Sequence, residues 1–162
     1  MSQLQTLLGL GFCVIPLAKA SKKPTVAWRE YVTRHPTDAE INEWFGKMEP
    51  GQGGPNIGIV TGQVSGIVVL DVDGTEGEKS LLALGELPKT ATVLTGKGKH
   101  LYFRHPGGKV RNFAGRLPGL DLRGDGGYVV APSSVHENGN NYEWLHHPDD
   151  VGIANIPASV LA

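Results

Sequence analysis

The stretch that most constrains this chain is Gly66 to Gly74, which reads Gly-Ile-Val-Val-Leu-Asp-Val-Asp-Gly. Four successive apolar residues, Ile67 to Leu70, have the composition of a buried strand, and that strand runs directly into Asp71 and Asp73. Residues two apart on a strand share a face, so both carboxylates leave the sheet edge as a pair. Carboxylates that close raise one another's pKa unless a cation stands between them. Oxygen donors suit a hard divalent ion such as Mg²⁺ or Mn²⁺. Asp-Gly is also a turn sequence in which the acid bonds local amides. The stretch alone leaves both readings open.

A chain of 162 residues is long enough for one domain with its own core. Its 23 glycines and 11 prolines point to many turns and short strands rather than long helices. Cys13 is the only cysteine, which excludes an internal disulfide and a cysteine-ligated zinc site. No apolar run approaches the roughly 18 residues of a membrane span, and the N-terminus lacks a basic segment leading into a cleavable apolar one. A soluble, cytoplasmic protein without membrane association is therefore expected. The net charge of -1 conceals an uneven distribution. Residues 38 to 80 carry eight acids against Lys47 and Lys79, whereas Lys97, Lys99, Arg104, Lys109, Arg111, Arg116 and Arg123 share a window with one acid, Asp121. A basic segment after an acidic one suits an anionic substrate, a nucleotide or a nucleic-acid backbone, although scattered solvated lysines give the same count.

In chain order, Leu4, Leu7 and Leu8 suggest a short helix over 2 to 10, and Phe12 to Leu17 a strand followed by a loop with Lys22, Lys23 and Pro24. Thr37 with Glu40 makes a capping box for a helix ending near Lys47. Asn56 to Thr61 is a second strand, and Gly62 to Gly66 is short enough to return it as a hairpin into the Asp71 strand. Thr75 with Glu78 predicts a capping box for a helix over 76 to 84. Short strands are expected at 92 to 95, 100 to 104, 120 to 123, 128 to 131 and 141 to 144. The tail from Pro148 is weakly patterned. Tyr102 and Phe103 alternate faces, so at most one is free to stack on a base, and core packing is the simpler assignment for both.

Two further constellations carry chemistry. In Thr95-Gly96-Lys97-Gly98-Lys99-His100 the glycines let backbone amides approach a phosphate, the lysines add charge, and His100 opens the next strand as a phosphate donor. The turn lacks P-loop spacing and resembles many hairpin turns. In Leu120-Asp121-Leu122-Arg123-Gly124-Asp125-Gly126-Gly127-Tyr128-Val129-Val130-Ala131-Pro132-Ser133-Ser134, Asp121 and Arg123 share a strand face. They are either a surface ion pair or a third metal carboxylate beside an arginine for a ligand's charge. Asp125 reads as a turn former.

Taken in order, the Asp-Val-Asp motif, the Gly turn leading to His100, and the Leu-Asp-Leu-Arg-Gly motif with Gly-Gly-Tyr-Val-Val-Ala-Pro-Ser-Ser resemble the three motifs of the archaeo-eukaryotic primase superfamily. The likeness is to primase-polymerase domains of plasmids, phages and other mobile elements, with supporting matches at Phe12 to Trp28 and Asn56 to Gly62, and covers about residues 9 to 145. It implies an α+β fold in one catalytic domain over 1 to 162, with an α/β lobe, an RNA-recognition-motif-like sheet lobe and the site between them. It also implies template-dependent nucleotidyl transfer, as DNA polymerase, primase or both, with single-stranded template, primer, and dNTP or NTP as partners. Asp71, Asp73 and Asp121 would hold two Mg²⁺ or Mn²⁺ ions. His100 and Thr95 match the second motif, whose histidine contacts the nucleotide's phosphates; Gly96, Lys97, Lys99, Arg123 and Lys23 complete the expected nucleotide contacts. Relatives of this kind often carry helical or helicase segments downstream.

Two rivals remain. Leu70-Asp71-Val72-Asp73-Gly74-Thr75 is also similar to the nucleophile motif of haloacid-dehalogenase phosphatases, with Asp71 phosphorylated, Asp73 as acid/base, and Asp149-Asp150 as a distal acidic pair. That fold needs parallel strands and crossover helices after the motif, where this chain shows short strands and Gly turns. A non-catalytic nucleic-acid-binding module would keep the basic face, but three acids without metal would repel a phosphate backbone.

Overall fold

The protein is described as a computed structural model over residues 2–161. The sequence builds two sheets. Helix α1 (Gln3–Gly9) starts at a capping box between Ser2 and Gln5 and leads into β1 (Cys13–Leu17), every residue of which is buried. A 3-10 turn over Arg29–Val32 precedes α2 (Asp38–Phe45). This helix has the expected Thr37–Glu40 capping box, and Glu40 also accepts from Arg34 Nη1 at 2.9 Å. Strand β1 pairs antiparallel with β2 (Asn56–Val60), and β2 pairs with β8 (Tyr128–Val130), completing the smaller sheet.

The larger sheet is centred on β3 (Ile67–Asp73), which is antiparallel to β5 (Gly98–Arg104) on one side and β7 (Leu120–Arg123) on the other. Beyond these lie β6 (Phe113–Leu117) next to β7, and β4 (Thr92–Leu94) then β9 (Glu143–His146) next to β5. A short β10 (Ala154–Asn155) lies parallel to the end of β5. Val68, Leu70 and Val72 face one way and join Leu101, Phe103, Leu120 and Leu122 in a cluster with Val160. Partly buried Leu81 and Leu84 pack against that cluster from α3 (Gly74–Ala83) and its C-cap, and Val160 belongs to α5 (Ala158–Leu161). Ile67 and Val69 face the other way and share a cluster with Val14, Ile57, Ile59 and Val129 of the smaller sheet. Burial of β3 on both faces is the reason its sequence is continuously apolar rather than alternating. Tyr102 and Phe103 are both 0% exposed and belong to the core.

Two expectations are corrected. Strands β2 and β3 do not form a hairpin: they lie in different sheets, pack against each other through side chains, and are joined at the turn by the isolated Gly62↔Ile67 bridge. The connecting turn is held instead by Asp125, which accepts from the Gln63 amide, and by Ser65 Oγ, which donates to Val60 O and accepts from Cys13 N. Helix α3 has no Thr75–Glu78 capping box, because it starts at Gly74, directly from the end of β3. Asp73 occupies the cap position without a side-chain cap bond, its own amide donating to Gly119 O. Strand β6 has no counterpart among the expected strands; Phe-Ala-Gly-Arg-Leu is an edge strand with a register shift and three exposed residues, so it shows no alternation. The tail forms α4 (Pro148–Val151), capped by His147 Nδ1 accepting from Asp149 N, followed by β10 and α5.

Candidate active site

The register of the larger sheet decides the geometry. Asp71 pairs with Asp121 across β3 and β7, and with His100 across β3 and β5. Directly opposed residues share a face, so Asp121, Asp71 and His100 form one row on the side that faces the smaller sheet. Toward Ile67 that face is closed by the apolar cluster; toward Asp73 it opens into a cavity of about 410 Å³. Asp71, Asp73 and His100 line it with the cations Lys22, Lys97 and Arg123. Trp28 and Tyr128, packed edge to face at 5.1 Å, supply an aromatic wall.

The row is electrostatically loaded. Burial raises the pKa of Asp71 to about 6; Arg123 and Lys22 pull it down, Asp121 and Asp73 push it up. Burial lowers that of His100 to about 3, with Lys22 and Arg123 adding to the effect, so the ring is neutral near pH 7. Its Nε2 lies 3.5 Å from Asp71 Oδ1, too long for a strong hydrogen bond, and the contact is not an ion pair with a neutral ring. His100 Nδ1 is sealed from solvent without a partner.

The expected site residues separate into two groups. Asp71, Asp73, Thr95, Lys97, His100 and Arg123 line the cavity. Asp121 stands beside Asp71 in register but is outside the lining: its Oδ1 accepts from Gly115 N at 3.0 Å and its Oδ2 lies 3.5 Å from Arg123 Nη2. Lys99, one residue from His100, is directed to the other face, where it pairs with Glu78 at 3.2 Å. Lys23 is exposed, and its neighbour Lys22 reaches the cavity. The glycines of the turn serve the protein's own packing: a Cβ at Gly98 would lie 1.9 Å from Val72 O, and one at Gly96 would lie 2.5 Å from the His136 ring. Asp125 is a structural acid, as read from its turn, accepting from Gln63 N and Val110 N.

Among the described residues no three His, Cys, Asp or Glu side chains already surround a common point. The donor chemistry still fits a hard cation. Asp71 and Asp121 are like charges set directly opposite each other, a repulsion that Arg123 beside Asp121 offsets only in part, and Asp73 adds a carboxylate that no cap bond uses.

Residues 4–159 match the family described as Prim-Pol, bifunctional DNA primase/polymerase, N-terminal. The chain belongs to that family. No match emerges from comparison with curated proteins. Prim-Pol membership supports a nucleotidyl-transfer role of the primase/polymerase type, with DNA and nucleotides as the substrates it implies. The phosphatase alternative lacks its architecture, since the strand bearing Asp71 has antiparallel neighbours on both sides, and Asp149 and Asp150 are exposed in α4, outside the cavity lining. No helix among the described residues is long and apolar enough to cross a membrane.

His136, Tyr142, Trp28, Tyr128, Lys22 and Asn112 also line the Prim-Pol cavity, although no sequence motif assigns them a role there. Trp28, Tyr128 and Lys22 lie in segments that the sequence singles out, but which side chain faces the cavity depends on contacts between the sheets. His136 has no partner at a recognisable spacing, and nothing in the chain marks it as more than a loop histidine.

Proposed function

We propose that this Prim-Pol domain extends a primer by template-directed nucleotidyl transfer, and that it serves the replication of a mobile element. The observation that carries the reading is the Asp121–Asp71–His100 row, opening beside Asp73 onto a cavity that also holds Lys22, Lys97 and Arg123. Asp71, Asp73 and Asp121 would hold a pair of Mg²⁺ or Mn²⁺ ions, for which Asp121 exchanges its contact with the Gly115 amide. When bound, such ions lower the pKa of a primer 3′-hydroxyl and stabilise the charge of departing pyrophosphate. The protein's own groups do the rest. Lys22, Lys97 and Arg123 converge on the cavity from three segments and neutralise the triphosphate there. His100, neutral through burial, donates to a phosphate oxygen without adding charge. The face of Trp28 or Tyr128 offers the base a surface.

Incubation with single-stranded template, with and without annealed primer, tests this using dNTPs or NTPs and Mg²⁺ or Mn²⁺. The wild type should incorporate nucleotides, and Asp71→Ala, Asp73→Ala and Asp121→Ala should each reduce incorporation to background while remaining folded. Full extension by any of the three removes the metal assignment. DNA binding that ignores Mg²⁺, with no nucleotide binding, would favour a non-catalytic module.

A further inference from the structure

His136 is 4% exposed and lines the cavity, yet the mechanism above does not use it. It lies in a tight loop closed by the Val135↔Asn141 bridge. Its amide donates to Asn140 O at 2.7 Å, its carbonyl accepts from Gly139 N at 2.8 Å, and its ring Nδ1 accepts from Asn138 N at 3.0 Å. An Nδ1 that accepts a backbone N–H carries no proton, so the ring proton is on Nε2. Among the described residues, the buried side-chain polar atoms lacking a partner are His100 Nδ1, Tyr102 OH and Trp144 Nε1; His136 Nε2 is not among them and makes no hydrogen bond there. Its N–H is thus a donor open to the cavity, with every other polar group of the residue already satisfied.

The ring is also fixed in direction. Gly96 leaves no room for a Cβ against it, and Asn138 Nδ2 donates to Gly96 O at 3.3 Å, tying the loop to the turn that carries Lys97. The ring also packs against Tyr142, with ring centroids 5.7 Å apart, and Tyr142 in turn lies 6.3 Å from His100. A rigid donor beside Lys97, in a cavity where three cations face two carboxylates, matches an anionic oxygen.

We propose that His136 is a second histidine of the triphosphate site, its Nε2–H donating to a phosphate oxygen of the incoming nucleotide. This rests on the nucleotidyl-transfer reading. The test uses the full chain in Mg²⁺, with a fluorescent nucleotide displaced by inorganic tripolyphosphate or by unlabelled dNTP, and two variants. His136→Phe keeps a ring against Gly96 and removes the donor; His136→Gln keeps a side-chain N–H. Tripolyphosphate should bind His136→Phe roughly tenfold to a hundredfold more weakly, the range for one hydrogen bond to a charged acceptor. His136→Gln should recover most of that loss. Unchanged binding by His136→Phe, or equal losses in both variants, overturns the proposal. So does weaker dNTP binding with unchanged tripolyphosphate binding, which would place the contact on sugar or base. If the wild type extends primers and His136→Phe still binds tripolyphosphate normally, this inference alone falls. A wild type that neither binds nucleotide nor extends a primer removes both.

Discussion

Asp71 occupies a position that disfavours its own charge. Because burial and the neighbouring acids raise its pKa from 3.8 to about 6, the native state holds the Asp71 proton more tightly than the unfolded chain does. The stability this contributes is fully present below the unfolded value and is lost as pH rises through about 6. Asp71→Asn removes that loss. In chelator at about pH 8 it should melt above the wild type by a margin equivalent to on the order of 2 kcal/mol, shrinking as pH falls below 6, while primer extension is abolished. Thermal melts across pH check this, and a variant less stable than wild type at pH 8 would contradict it. His100 has the opposite sign: its lowered pKa gives stability above its ordinary 6.5 that declines as pH falls toward about 3. Its functional consequence is separate. His100→Ala should weaken nucleotide binding roughly tenfold and DNA binding far less; titration calorimetry showing equal nucleotide affinity would exclude the phosphate contact.

The elements that sequence pattern reveals are those whose environment imposes a pattern. Strand β3 is readable because both its faces are buried, and α2 because its capping box precedes an apolar stripe. Strand pairing is not readable, since the Gly62 to Gly66 turn is short enough for a hairpin yet passes between sheets. What directs it is Asp125, whose carboxylate accepts from Gln63 N, Val110 N and His105 Nε2. These bonds hold its pKa below the usual value against the opposing effect of burial, so their contribution is present above the unfolded pKa and lost as pH falls through the folded one. Asp125→Ala leaves the buried Val110 amide and the partly buried His105 ring short of an acceptor and should cost roughly 1 to 3 kcal/mol in urea unfolding at neutral pH. A change within experimental error would show that Ser65 and the backbone hold the turn without Asp125.

At the scale of the molecule, the acids and the Gly turn are legible as motifs, but their convergence comes from sheet register, and the cavity's opposite wall comes from the smaller sheet. Lys22 rather than Lys23 faces the cavity because Tyr128 of β8 donates its hydroxyl to Lys22 O at 2.7 Å, a contact no local pattern announces. The basic window acquires a place in the same way. Residues 108 to 112 are stapled along the β7–β8 turn: Val110 N donates to Asp125, and Asn112 Oδ1 accepts from Gly124 N at 2.9 Å. Asn112 reaches the cavity while Lys109 and Arg111, on either side of the anchored Val110, are exposed. Cations presented next to a polymerase-type cavity suit the phosphates of a template strand. The double variant Lys109→Ala/Arg111→Ala should therefore bind single-stranded DNA more weakly whatever its sequence. The slope of log affinity against log salt should fall in magnitude by about 1.4, at about 0.7 for each phosphate that the variant leaves unneutralised. Fluorescence anisotropy between about 50 and 200 mM NaCl measures that slope, with nucleotide affinity expected to hold. An unchanged slope would mean that the template backbone runs elsewhere on the surface.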